Sequence, residues 1–278
     1  MRISRFPLLA SALIIACADT PTDTTAIPHP SFITSGRPDG EGHPYVGFLV
    51  FEEEPGTPAW VCSGTLLSPT VVLTAGHCTD GAVAARIWMA SSLVGNTEFP
   101  FGGVTSSEGT PFLNPDYCFL CGPPSIGGFI YRDVGIVVLS EPVPTSVVDV
   151  YGQLPSAGLA GTLANKAMLD LVGYGVRFQL VGGGPPGWSG FGRRFHALAE
   201  FVSGAFSWSS EFIRLSANPA KGKGGTCFGD SGGPDLIGGT GVVIAVNSYV
   251  TNTNCTGVTY SQRVDIPAVL SWIQSFLQ

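Results

Sequence analysis

Short runs rich in β-branched and aromatic residues recur along the chain, each bounded by turn residues, and this repetition constrains the fold more than any other feature. Such runs are typical of strands. Glycine and proline are abundant, with 38 and 22 among 278 residues, which suits short strands joined by turns. The sequence therefore predicts an all-β architecture. The predicted strands are Tyr45–Phe51, Thr70–Thr74, Ala85–Met89, Gly135–Leu139, Ala167–Val172, Glu211–Leu215, Gly241–Val246 and Val258–Val264.

A helical period occurs only near the C-terminus. Asp265 is placed to cap a helix, and Pro267 suits its first turn. Apolar residues then recur at helical spacing, which predicts a C-terminal helix with one buried face. These residues are Val269, Leu270, Ile273, Phe276 and Leu277.

Composition excludes several classes of partner. The net charge is −7 and no basic cluster occurs, so we expect no nucleic acid partner. No apolar run reaches the roughly 18 residues that span a membrane, and nothing favours an oligomer over a monomer. His29, His43 and His196 are scattered, whereas a zinc site needs converging ligands. We therefore expect neither a metal nor another cofactor.

The first residues have the pattern of a targeting signal. Arg2 and Arg5 precede an apolar stretch at residues 6–16, which predicts a signal peptide at residues 1–18. The end of this stretch fits ordinary secretory cleavage, but it also resembles a bacterial lipobox, which we favour and in which Cys17 would be lipidated. A Thr/Pro-rich segment follows, which predicts a disordered tether or propeptide at residues 19–32. The chain should be exported, either secreted or anchored at the cell envelope through Cys17.

The cysteine count also favours export. The chain has 7 cysteines, and both processing routes remove Cys17 from the pairing pool. The remaining six allow fifteen connectivities, among which the sequence alone does not choose. Cys118 and Cys121 form a C-x-x-C with no second pair of ligands, which favours a small loop disulfide over a metal site.

Three separated blocks carry residues suited to nucleophilic catalysis. The first reads Leu-Thr-Ala-Gly-His-Cys at residues 73–78, the second Arg-Asp-Val-Gly-Ile at 132–136, and the third Gly-Asp-Ser-Gly-Gly-Pro at 229–234. A serine hydroxyl is a poor nucleophile until a neighbouring base takes its proton. Asp133 opens a buried strand and so needs a partner, which a histidine N–H would supply. The candidates are His77, Asp133 and Ser231.

In content and in the order His, Asp, Ser, these blocks resemble those of the trypsin/chymotrypsin-like serine proteases. With its targeting signal, the chain resembles a bacterial member of that family that is secreted or is a lipoprotein. The resemblance runs from about Ile33 to the C-terminus. It implies two antiparallel six-stranded β-barrels with the active site in the cleft between them. Residues 33–150 would form the first barrel, and residues 151–278 the second barrel together with the C-terminal helix packed against it.

The resemblance also assigns roles at the reacting centre. Ser231 would be the nucleophile, His77 the base and later the acid, and Asp133 the group that orients the imidazole. The backbone N–H groups of Gly229 and Ser231 would form the oxyanion hole. The substrates would be polypeptides, cleaved through an acyl-enzyme. The rival functions are a catalytically silent binding protein on the same fold and an esterase that uses the same site.

Activation and disulfides follow from the same resemblance. Asp230 would pair with an α-amino group freed by zymogen cleavage. The expected Ile-Val-Gly-Gly start is absent, and its nearest match begins at Ile33, which predicts cleavage after Phe32. The implied disulfides are Cys62–Cys78 and Cys227–Cys255, which leaves Cys118–Cys121.

The implied specificity pocket contains Gly225 and Thr226. Gly225 stands where trypsin-like members carry an aspartate, and no acidic residue lies between Asn218 and Gly229, so a preference for Lys or Arg is not expected. The segment Ser248-Tyr249 would pair with the substrate backbone. Val250 and Val258 would narrow the pocket walls and favour small apolar residues, as in elastases. If either valine is misaligned, the alternative is a deep, chymotrypsin-like pocket.

Overall fold

The structure, a computed structural model, describes residue 33 and residues 36–119, 121, 130–175, 178–180, 187–189, 192–202, 210–217, 223–250, 255 and 257–278. The predicted signal peptide, the segment 19–32 and Cys17 lie outside these residues. Within the described ranges, no helix is both long and apolar enough to cross a bilayer.

Seventeen strands and two α-helices make up the described chain. The helices are α1 (Gly76–Thr79) and α2 (Pro267–Gln274), and a 3₁₀ helix spans Leu159–Thr162. The strands are β1 (Arg37–Pro38), β2 (Val46–Glu54), β3 (Thr57–Leu66), β4 (Val71–Thr74), β5 (Ala84–Trp88), β6 (Ser106–Leu113), β7 (Cys118–Phe119), β8 (Ile130–Tyr131), β9 (Gly135–Leu139), β10 (Met168–Gly173), β11 (Phe178–Leu180), β12 (Gly187–Ser189), β13 (Phe195–Phe201), β14 (Phe212–Ala217), β15 (Pro234–Ile237), β16 (Val243–Val250) and β17 (Gly257–Arg263).

The first barrel is closed in the order β2-β3-β4-β9-β6-β5, and every pairing in it is antiparallel. Buried apolar side chains, among them Phe48, Leu49 and Trp88, lie along these strands. Thr74 at the end of β4 pairs with Gly135 at the start of β9. The segment after β4 and the segment before β9 therefore meet at the same rim of the barrel.

The second barrel runs β13-β10-β15-β16-β17-β14 and closes through a β13–β14 pairing, while β1 adds to the outer side of β13. A second buried apolar cluster, which includes Leu169, Phe195 and Leu215, fills it. The prediction of two six-stranded antiparallel barrels with a C-terminal helix is confirmed. The boundary at 150/151 stays a prediction, and it falls in the connection between β9 and β10.

The C-terminal helix differs from expectation in its cap and its packing. Ile266 is the N-cap residue and makes no side-chain capping bond. Asp265 instead bonds to Arg263 and accepts the N–H of Ala160 at 2.7 Å, because it is fully buried and needs partners. Phe276 contacts Phe112 in β6, so the chain's end packs back onto the first barrel and not on the second barrel alone.

Candidate active site

His77 and Asp133 meet at the rim of the first barrel. His77 lies in α1, directly after β4, and Asp133 lies just before β9. The His77 backbone N–H donates to Asp133 Oδ1 at 2.7 Å, and its ring Nδ1 lies 2.9 Å from Oδ2. Gly76 allows this approach, because a Cβ there would lie 2.9 Å from the Val134 nitrogen. The contact fixes the ring so that Nε2 is left for another partner.

Asp133 is fully buried, and two residues of the second barrel bond to it. The Ser248 hydroxyl donates to Oδ2 of its carboxylate, and Gln262 Oε1 accepts the Asp133 backbone N–H at 3.0 Å. Burial raises the pKa of Asp133, but His77 and the hydrogen bonds from His77 and Ser248 outweigh it and hold the pKa below its ordinary value. Asp133 is therefore charged at neutral pH.

The pKa of the His77 imidazole shifts in the opposite direction. Burial lowers its pKa, but the charge and the hydrogen bond of Asp133 outweigh burial and raise the pKa above its ordinary value. A ring with a raised pKa is a stronger base, and an imidazolium formed during a reaction would be stabilised by the adjacent carboxylate.

Ser231 and His77 line the same pocket of about 250 Å³ in the cleft between the barrels. This places a hydroxyl, an imidazole and a substrate-sized concavity together. The lining residues are His77, Thr226, Cys227, Phe228, Ser231, Asn247, Ser248, Tyr249 and Val250.

The turn that carries Ser231 has the backbone geometry of an anion site. Gly229 has φ of 91° and Gly232 has φ of 77°, a left-handed conformation that glycine adopts without strain. In the part of the chain that the structure describes, neither the Gly229 N–H nor the Ser231 N–H has a hydrogen-bond acceptor. Two free donors beside a serine can stabilise a developing oxyanion.

Asp230, between these donors, points into the protein. Its carboxylate accepts the N–H groups of Gly175 at 2.8 Å and Cys227 at 2.9 Å. A Cβ on Gly173 would lie only 2.3 Å from its Oδ1, so the carboxyl fits tightly against that strand. Burial raises the pKa of Asp230 to about 7, and the ion pairs among the described residues do not include it.

Ile33, the proposed partner of Asp230, is buried in the uncleaved chain. It belongs to the apolar cluster of the second barrel, and its carbonyl accepts the Gly36 N–H at 2.6 Å. Thr34, Ser35 and the proposed cleavage site after Phe32 lie outside the described residues.

The predicted pocket residues divide into two groups. Thr226, Ser248, Tyr249 and Val250 line the pocket, whereas Gly225 and Val258 do not.

Val258 lies in β17, next to the residue that pairs with Val250. A register shift between Asn247 and Tyr249 changes the pairing of β16 with β17, and Val250 then stands opposite Thr259. Because side chains alternate along a strand, Thr259 and its neighbour Val258 point to opposite faces. Thr259, which is 1% exposed, is therefore the residue that faces Val250 across the two strands.

The structure joins Cys62 to Cys78, Cys118 to Cys121 and Cys227 to Cys255. The first bond braces α1 against β3, and the third crosses from the segment before Ser231 to the segment before β17. Cys62, His77 and Cys78 lie close enough together to suggest a metal site, but the two sulfurs are bonded to each other and offer no thiolate.

Sequence reasoning did not find two residues that contact this site, Ser63 and Gln262. The Ser63 hydroxyl donates to the Gly229 carbonyl, and Gln262 holds the Asp133 backbone. Both are fully buried polar residues within strands.

The chain is similar to known proteins of one family. The profile of the family described as Trypsin matches residues 33–178. "Serine protease 1" of Drosophila melanogaster is 26% identical over 264 residues, which covers 87% of this chain and 84% of that protein. "Chymotrypsin-like elastase family member 3A" of Homo sapiens is 25% identical over 233 residues and 80% of each chain.

Solved structures share the fold. A structure described as HL collagenase superposes with a TM-score of 0.63 at 17% identity, over 87% of this chain and 96% of that one. Human heparin binding protein gives a TM-score of 0.59, also at 17% identity, over 87% and 95% of the two chains. At this identity the likeness concerns the fold alone.

Proposed function

The chain belongs to the trypsin family of serine proteases, whose profile covers more than half of it, and we propose that it is a catalytically active endopeptidase. The observation that carries this proposal is the contact of His77 with the buried Asp133, in a pocket that also holds Ser231. Each of these groups has a place in one mechanism.

In that mechanism Ser231 Oγ attacks the scissile carbonyl while His77 Nε2 takes its proton. The carbonyl oxygen becomes an oxyanion, which the N–H groups of Gly229 and Ser231 stabilise. His77 then gives the proton to the leaving amine, and the acyl group stays on Ser231. Water, activated by the same histidine, releases the acid. Asp133 stabilises the imidazolium in both halves.

The proposal is separated from its rivals by substrate chemistry. A silent binding protein would cleave neither peptide amides nor the matching esters, and an esterase would cleave the esters alone. We expect both classes to be cleaved by the same site. The three disulfides support export, because such bonds persist in oxidising compartments. A signal peptide, a lipid on Cys17 and a bacterial source remain predictions.

We further propose a preference for small apolar residues at P1, the substrate position before the scissile bond. Val250 lines the pocket, so a β-branched side chain narrows its wall. The wild-type enzyme should cleave after Ala or Val faster than after Phe. Val250→Gly should raise kcat/KM for Phe relative to Val by roughly tenfold or more, because pocket discrimination of this size follows from one or two methyl groups.

The matched control for this prediction is Val258→Gly, a valine on the neighbouring strand that does not line the pocket. It should leave the Phe-to-Val ratio unchanged. Peptide amides that differ only at P1 provide the measurement. Faster cleavage after Phe by the wild type would favour the chymotrypsin-like alternative.

Activation is proposed to run through cleavage after Phe32, with the freed α-amino group of Ile33 pairing with Asp230. In the uncleaved chain Asp230 has a pKa of about 7, against 3.8 ordinarily. The native state then keeps a proton that the unfolded chain loses. The free energy of unfolding should therefore fall, by up to about 4 kcal/mol, as pH rises from about 4 to 7.

Thermal melts between pH 4 and pH 8 check this prediction. In the uncleaved chain, Asp230→Asn should remove part of the fall in the free energy of unfolding. Cleavage should remove a similar part, because the freed ammonium group of Ile33 would keep the Asp230 carboxylate charged. Burial also raises the pKa of Asp235 to about 7. Asp235 therefore contributes the same pH dependence to the uncleaved chain, the cleaved chain and the Asp230→Asn variant. A cleaved form as pH-sensitive as the uncleaved one, or active protein that begins before Ile33, would contradict the proposal.

A further inference from the structure

We propose that Ser63 is a positioning residue that holds the oxyanion turn, residues 229–231, in its active shape from across the barrel interface. The inference rests on the proposed function. Ser63 lies on β3 of the first barrel, is fully buried and does not line the pocket. It would act on catalysis only through the turn.

Ser63 contacts the turn at both ends. Its backbone N–H donates to the Ser231 carbonyl at 2.8 Å, and its hydroxyl donates to the Gly229 carbonyl at 2.9 Å. These carbonyls belong to the two residues whose N–H groups are the oxyanion donors. One residue of the first barrel therefore holds both donor residues of the second.

The carbonyl of Gly229 needs such a restraint. Gly229 has no Cβ and has φ of 91°, so side-chain sterics do not limit rotation about its backbone bonds. A Gly229 carbonyl that turned toward the cleft would place partial negative charge where the oxyanion develops. A hydrogen bond that fixes this carbonyl away from the cleft keeps the turn ready before substrate arrives.

The direction of the Ser63 hydroxyl is itself determined. A serine hydroxyl has one proton to donate, and the Tyr174 N–H donates to Ser63 Oγ at 3.0 Å. With Oγ already accepting from Tyr174, its proton is left for the Gly229 carbonyl. The N–H of the next residue, Gly175, donates to the Asp230 carboxylate. Tyr174 and Gly175 therefore both help to hold the oxyanion turn in place.

The experiment compares Ser63→Ala with Thr65→Val and Ser63→Thr. Thr65 is the matched control, because it lies on the same strand and is fully buried, but its hydroxyl has no partner among the described residues. Ser63→Thr keeps a hydroxyl. For each variant, kcat and KM are measured on one peptide amide, together with the affinities for a peptide boronic acid and for the product peptide. Folding is checked by thermal melting.

In Ser63→Ala, kcat should fall on the order of tenfold, less than the roughly 100- to 1000-fold loss for removal of an oxyanion donor itself. KM should change by less than about twofold. The affinity for the boronic acid, which mimics the tetrahedral intermediate, should fall with kcat, while that for the product peptide stays constant. Thr65→Val should match the wild type, and Ser63→Thr should recover most of the loss.

Three outcomes would overturn the inference. An unchanged kcat in Ser63→Ala, in an active wild type, would remove the role of Ser63 and leave the proposed function standing. A loss in Ser63→Thr as large as in Ser63→Ala would show that packing matters and the hydroxyl does not. A wild type that cleaves no amide or ester and reacts with no fluorophosphonate, even when it begins at Ile33, would overturn the proposed function and this inference with it.

Discussion

Replacing Ser231 with alanine should abolish peptide hydrolysis, lowering kcat by about 10⁶-fold. In the proposed mechanism the Ser231 hydroxyl oxygen forms the bond to the acyl group, and we expect no other group of the pocket to replace it. The oxyanion donors and the substrate pocket remain, so residual activity of about 10³- to 10⁴-fold over water is expected. The affinity for substrate should be preserved, and titration of Ser231→Ala with a peptide substrate would show this.

The control for Ser231→Ala is Ser140→Ala, an exposed serine of the first barrel whose hydroxyl bonds to the Glu108 carbonyl. This variant should keep the wild-type kcat and KM. Retention of more than about a hundredth of the wild-type kcat in Ser231→Ala would mean that another group is the nucleophile.

Replacing Asp133 with asparagine should cost about 10⁴-fold in kcat, the loss expected when the acid of such a triad becomes its amide. The amide keeps the shape of the carboxylate but not its charge. Its NH₂ group would also compete as a donor where Asp133 accepts from His77 Nδ1 and from Ser248. Steady-state kinetics with a peptide amide measures the loss.

The same variant should move the acid limb of the pH profile. His77 acts as a base only when neutral, so kcat/KM falls as pH drops through its pKa, which Asp133 raises. Without that charge the pKa falls, and the residual activity of Asp133→Asn should persist to lower pH. Asp149→Asn, at an exposed aspartate, should leave both the rate and the profile unchanged. An acid limb that does not move would show that Asp133 does not set the protonation of His77.

Most barrel strands could be predicted from the sequence because they are rich in apolar residues. β9 has the bounds predicted for it, Gly135–Leu139. Four barrel strands, β3, β6, β13 and β15, were missed. Pro58 and Cys62-Ser63-Gly64 interrupt β3, while Pro234 and Asp235 open β15. These strands are held by neighbours on both sides, and such pairing overrides local preference.

The residues of the candidate site also differ in how far the sequence predicts them. The three candidates His77, Asp133 and Ser231 could be identified in the sequence because each lies in a short block with its own flanking residues. The groups that hold the triad were not, because the Ser63–Gly229 contact spans 166 residues and the Asp133–Gln262 contact spans 129. The pairing of Val250 with Thr259 depends on a register shift between Asn247 and Tyr249, which no periodicity reveals.

We propose that Ser231 is an activated nucleophile. The decisive test is intact mass before and after exposure to a fluorophosphonate, with Ser231→Ala measured alongside and the N-terminus read from the unlabelled mass. We expect a single adduct on wild-type protein that begins at Ile33, and none on Ser231→Ala. The absence of an adduct on that wild-type form, or an equal adduct on Ser231→Ala, would contradict it.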